Sequence, residues 1–197
     1  AGQCSTTAFA SSAPAFASNT CTYMGGTATG LPFSPNQLDP VEVLQRNIPH
    51  DLQMLANCTS PHFVAPAVYS DGRVPGRGCP PEGEILWLDL SDAQIEALSI
   101  PRWAKTLYHN LHDYGWILEN SGPAGVAPNN SPSLQSVSDY SWTLSGQPSQ
   151  WNLLFQEIEA EGSALRWKHD WADVTIPVAP SLTVSHLHWL QYNGGAF

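Results

Sequence analysis

The sequence predicts an α+β domain, a mainly antiparallel sheet of sandwich or jelly-roll type with two or three flanking helices, stapled by disulfides. Three observations carry this. Apolar side chains alternate over residues 84–90 and 182–190, the period of half-buried strands. Trp103, Leu107 and Leu111 recur every fourth residue, the stripe of an amphipathic helix. Strands and helices are interspersed too irregularly for a repeating βαβ unit.

The elements follow in order. Residues 1–38 are rich in Ala, Ser, Thr, Gly and Pro and predict an extended segment; residues 39–197 form a single globular domain. Asp39-Pro40 starts a helix, with Asp as N-cap and Pro at the first helical position. Val41, Leu44 and Ile48 give it a short apolar face, and Pro49 ends it. Residues 62–69 read as a strand whose Pro66 confines it to an edge or a bulge. Residues 70–83 hold four Gly and three Pro and predict a surface loop stapled by Cys79. In the strand over 84–90, Leu86, Leu88 and Leu90 share one face. Ser91 and Gln94 then form a capping box for a short helix carrying Ile95 and Leu98. Pro101 opens the strongest helix, whose stripe extends to Tyr114, with Lys105, His109 and His112 on its solvated side. Gly115 supplies the left-handed C-terminal cap. Trp116-Ile117-Leu118 reads as a buried strand that delivers Glu119 and Asn120 at its end. Residues 121–150 form a long connection, of a length that tends to be functional. A helix over 150–160 turns Trp151, Leu154, Phe155 and Ile158 to the core, and strands over 173–178 and 182–190 complete the domain.

Composition narrows the function. Lys plus Arg number 7 against 17 Asp plus Glu, a formal net charge of −10, and only 12% of residues are charged. So few cations neutralise few phosphates, which disfavours nucleic acid and an anionic membrane surface as partners. No run of 18 apolar residues offers a membrane span. The Ala1-Gly2-Gln3-Cys4 start reads as a mature end left by processing, and four cysteines without a C-x-x-C spacing read as disulfides. Four cysteines allow three pairings; Cys4–Cys21 with Cys58–Cys79 is preferred because both loops are local. Asn57-Cys58-Thr59 is a glycosylation sequon, and Asn129-Asn130-Ser131 is a second, weakened by Pro132. Together these features predict a secreted, extracellular protein.

Candidate chemistry is sparse. No G-x-S-x-G, H-E-x-x-H, P-loop or G-x-G-x-x-G motif occurs. Glu119 at a strand end is placed to act as a general acid with a burial-raised pKa, Asn120 beside it binding substrate. Glycan hydrolysis needs a second carboxylate, and Asp51, Asp71, Glu82, Asp139, Asp170 and Asp173 are the candidates. Adjacent His50 and Asp51 pair a base with its orienter, or form a hydrogen-bonded loop. His186 and His188 lie on one strand face and could hold a divalent metal with a third ligand, although such pairs are common without one. Trp142, Trp167 and Trp171 sit in polar surroundings and predict flat platforms for sugar rings, where simple packing is the alternative.

Several short patterns carry a resemblance. They are Gly30-Leu31-Pro32, Val43 with Ile48-x-His50-x-Leu52, Pro66-Ala67 and Ser70-Asp71-Gly72. The most specific is Leu107-x-x-x-Leu111-x-x-Tyr114-Gly115-x-Ile117-x-x-Asn120. Over residues 30–122 the chain resembles a family of secreted bacterial and fungal proteins. It departs from that family in Glu119-Asn120-Ser121, where members read Asp-Asn-Gly, and in Asp51, where they have Ala. Members also tend to be longer on the N-terminal side, so the resemblance implies a shortened or processed chain. It implies a single secreted domain and points at His50, Glu119 and Asn120, without implying a reaction.

The resulting expectation is a secreted carbohydrate-active protein, a glycan-cleaving hydrolase or lyase with acid/base residues in a Trp-lined cleft. The alternative is a non-catalytic carbohydrate-binding or assembly protein. A polysaccharide or oligosaccharide is the expected partner, with a missing N-terminal partner chain or self-assembly as further expectations. No cofactor is required, a divalent metal being the one exception to test.

Overall fold

The structure is a computed structural model that describes residues 27–32, 36–56, 58–74, 79–121, 133–137, 146, 148–161, 174–175 and 186–190. Helices are α1 (Pro40–Gln45), α2 (Asp92–Glu96), α3 (Arg102–Asp113) and α4 (Gln150–Ala160). Strands are β1 (Leu52–Ala56), β2 (Ser60–Phe63), β3 (Pro81–Glu82), β4 (Ile85–Leu88), β5 (Trp116–Ser121), β6 (Ser133–Leu134), β7 (Val174–Thr175) and β8 (Leu187–Leu190). Six strands form one mixed sheet in the order β7-β6-β1-β5-β4-β8, and β2 and β3 form a separate parallel pair.

The α+β class and the mostly antiparallel pairing stand, with one difference at the centre of the sheet. There β1 and β5 run parallel, Leu52 beside Trp116 and Met54 beside Leu118. The chain reaches β5 from β1 by way of β4 and α3, the crossover that a parallel pair requires. A second full sheet packed face to face on the first, as in a sandwich, is not among the described elements.

One face of this sheet makes the core. Leu52, Met54, Leu86, Leu88, Trp116, Leu118 and Leu134 pack with Val43, Ile95, Trp103, Leu107, Leu111, Trp151 and Ile158 from the helices. Alternation along each strand requires the intervening residues to face the other way. Gln53, Ile117 and Glu119 do so, and all three are still buried. Segment 27–32 lies over that face, where Pro32 accepts a hydrogen bond from Gln53 Nε2 at 2.7 Å.

Helix ends follow their caps. Asp39 accepts from the Val41 N–H at 2.8 Å, and the Ser91 N–H donates to Gln94 Oε1 at 2.9 Å. The apolar stripe of α3 stops at Leu111, for Tyr114 is 47% exposed as the C-cap. Gly115 follows with φ of 77°, and a Cβ there would lie 2.5 Å from Ile85 Cγ2. Two demands, a left-handed backbone and a close strand, therefore meet at one glycine. Asn110 ties α3 to the start of β1: its Nδ2 donates to the Ile48 and His50 carbonyls, and its Oδ1 accepts from Trp116 Nε1 at 2.9 Å.

The strand expected over 62–69 is shorter and earlier, Ser60–Phe63, and ends before Pro66, which has no N–H to give a ladder. The strands expected over 173–178 and 182–190 appear, in their described parts, as β7 and β8.

Candidate functional site

The carboxyl end of β5 gathers acidic side chains from three stretches of chain. The first is the loop between β2 and β3, closed at its base by a Cys58–Cys79 disulfide with a Cα–Cα distance of 5.1 Å. Within it, Ser70 Oγ donates to the Ser60 carbonyl at 2.8 Å and accepts from the Gly72 N–H at 3.0 Å. Gly72 packs directly on that backbone; a Cβ would sit 2.0 Å from the Ser60 oxygen. Ser70-Asp71-Gly72 is thus a compact turn that aims Asp71 at β5. There the Ser121 N–H and Oγ both donate to Asp71 Oδ1, at 2.9 and 2.7 Å. On its other side the Asp71 N–H donates to Glu82 Oε2 at 3.1 Å. Asp71 and Ser121 are half-buried, whereas Glu82 is fully buried.

Three glutamates, Glu82, Glu84 and Glu119, are each 0% exposed. Among the described residues no lysine or arginine pairs with any of them. Removing an unpaired carboxylate from water costs far more than keeping its proton, so such a group stays neutral. Burial, with the nearby Asp71 carboxyl adding to it, pushes Glu82 up to about 9. Burial alone raises Glu84 to about 7. Glu119 is pushed to about 8 by burial, which the Thr27 hydroxyl offsets only in part. Neither oxygen of Glu84 or Glu119 makes a well-formed hydrogen bond among the described residues.

Glu119 owes its place to an irregularity. Met54 pairs with Leu118 and Leu55 with Asn120, so Glu119 is one residue more than β1 can match. Such a bulge re-aims a side chain at the end of a ladder. Across the sheet, the Gly83 N–H donates to the Leu118 carbonyl at 2.7 Å, which brings Glu82 and Glu119 to either side of one backbone bond.

Glu119 has the raised pKa expected of it but no exposed surface, and Asn120 beside it is half-buried. His50 and Asp51 precede β1, at the opposite end of the parallel pair from Glu119, about 16 Å and about 13 Å away at strand rise. They do not form a base and its orienter. His50 Nδ1 faces the Asp51 backbone carbonyl at 2.8 Å and Nε2 faces Glu42 Oε2 at 3.0 Å. The Asp51 side chain instead accepts from Asn36 Nδ2. On β8, His188 is exposed with its Nε2 3.7 Å from Asp89 Oδ2. Trp142, Trp167, Trp171, Asn57 and the Cys4–Cys21 pairing lie outside the described residues, as do Asp139, Asp170 and Asp173.

Asp71, Glu82 and Ser121 were each legible only in fragments. Asp71 and Glu82 were two of six carboxylates that no pattern ranked, and Ser121 stood at the end of the strand as a departure from a glycine. A second group lies elsewhere. Asp92, His112 and Asp113 offer ligand atoms that all fall within 4.8 Å of one another, a set that could hold a metal ion. No helix among the described residues is long and apolar enough to cross a membrane. The chain matches no protein-family model, no curated protein and no solved structure.

Proposed function

We propose that this protein is a secreted carbohydrate-active enzyme whose acid–base group is the Asp71–Glu82 carboxyl pair. The observation that carries the proposal is the asymmetry of the pair. Asp71 is half-buried and held by two donors of Ser121, while Glu82 behind it is sealed from water and neutral. A buried carboxyl beside another acid keeps its proton, and here that carboxyl is Glu82. Asp71 is the member that substrate can meet, and Glu82 is a buried proton reserve against Asp71 and Ser70. The disulfide-closed loop and the Gly72 contact fix Asp71 against the strand end, as pre-organised acid–base chemistry requires. Glu119, with no exposed surface, acts in this reading as a neutral buried group beneath the site.

Glycans are the proposed substrates because the chain is acidic, poor in cations and rich in tryptophan, with 8 in 197 residues. The test is a panel of polysaccharides and oligosaccharides, followed by product release, with wild type and Asp71→Asn. General acid–base catalysis contributes about 10²–10⁴-fold, so Asp71→Asn should lose at least ~100-fold in kcat with the fold intact. Full activity in Asp71→Asn on every glycan cleaved would overturn the assignment. Binding without product release would make the protein a carbohydrate-binding module instead.

A further inference from the structure

We propose that Asp92, His112 and Asp113 form an open site for a borderline divalent transition-metal ion of the zinc class. It stands apart from the carboxyl pair and does not depend on the reading of that pair.

The site lies where β4 runs into α2, against the C-terminal end of α3. One ring nitrogen of His112 and one carboxylate oxygen each from Asp92 and Asp113 lie within 4.8 Å of one another. This is more than an acidic cluster, for two of the three ligands are held in place by partners outside it. His112 Nδ1 donates to the Leu88 carbonyl at 3.1 Å, which fixes the tautomer and leaves Nε2 with a free lone pair. The ring also stacks on Trp87, with centroids 5.9 Å apart at 28°, and the Trp87 indole N–H donates to the His112 carbonyl. Asp92 Oδ1 faces His109 Nδ1 at 3.0 Å, and His109 Nε2 faces Glu96 Oε1 at 2.8 Å. A backbone carbonyl behind the imidazole and a hydrogen bond behind the carboxylate are the outer contacts that orient metal ligands.

Charge favours the same occupant. Asp113 is the last residue of a 12-residue helix, where the dipole's negative end disfavours an acid and favours a cation. Among the described residues no lysine or arginine pairs with Asp92 or Asp113. An imidazole with two carboxylates suits zinc better than calcium, which takes oxygen ligands alone. Three protein ligands leave positions for water or a further ligand, as open zinc sites do. His188 is a separate group on β8, paired with Trp87 across the β4–β8 ladder with ring centroids 6.2 Å apart.

The test is calorimetric titration of the metal-free full chain with Zn²⁺. One ion per chain should bind, Asp92→Asn and Asp113→Asn should each weaken binding at least ~10-fold, and His112→Gln should abolish it. His188→Gln should bind as wild type, and a ~100-fold excess of Ca²⁺ should not displace the ion. Absence of saturable binding, or undiminished binding in both aspartate variants, would overturn the site. Loss of binding in His188→Gln would move the ion to β8 and equally overturn it, and displacement by Ca²⁺ would overturn the ion class. Asp92 and Asp113 are exposed, so their variants decide the matter even if His112→Gln fails to fold.

Discussion

Replacing Glu119 with Gln should flatten the dependence of stability on pH. A carboxyl held at about 8 in the folded chain titrates near its usual value of about 4.5 once unfolded. Between those values the unfolded chain releases a proton that the folded chain keeps. Folding therefore loses about 1.4 kcal/mol for each pH unit above 4.5, and the loss is complete only above pH 8. At pH 7 the accumulated loss is about 3 kcal/mol, a large part of the 5–15 kcal/mol that holds a typical domain together. Glutamine has no proton to lose. Wild type and Glu119→Gln should thus draw apart by about 3 kcal/mol between pH 4 and pH 7, the variant being the flatter. Comparing the two pH values cancels whatever the new amide gains or loses in hydrogen bonding, including any contact with Thr27. The assay is denaturant unfolding of both proteins from pH 4 to pH 8. Parallel stability curves would refute the reasoning, since they would mean that Glu119 ionises freely in the folded state. Glu82 and Glu84 act with the same sign, so the wild-type fold should be firmest in acid.

Other expectations concern the scaffold. Asn110→Ala strips a buried partner from the Ile48 and His50 carbonyls and the Trp116 indole, and should cost about 3 kcal/mol or more, read as a shift in denaturant midpoint. Replacing Cys58 and Cys79 together by Ser opens a loop of sequence separation 21, for which chain entropy predicts a loss of about 3 kcal/mol in unfolding free energy.

The helices were readable because their signals are local. Ser91 with Gln94, the 103–111 stripe and Gly115 each act within a few residues, and all three stand in the structure. The central strand β1 was not readable. Leu52-Gln53-Met54-Leu55-Ala56 consists of good helix formers, and its place between β5 and β6 sets its conformation by tertiary pairing rather than propensity. The candidate site was half readable for the same reason. A strand ending in a buried acid is visible from Trp116-Ile117-Leu118, but which acid joins it depends on a loop 50 residues upstream, through the Asp71–Ser121 bonds. His112 looked like part of a solvated helix face because the Leu88 carbonyl and Trp87 ring that orient it come from another strand.

Glu82 keeps its proton behind Asp71 at neutral pH. Infrared spectroscopy of the folded protein at pH 7 tests it most directly, by the carbonyl band of un-ionised carboxylic acid. Such a band should be present at pH 7, diminished in Glu82→Gln and lost from wild type only well into the alkaline range. A spectrum at pH 7 with ionised carboxylates alone, or a band that Glu82→Gln leaves untouched, would contradict it.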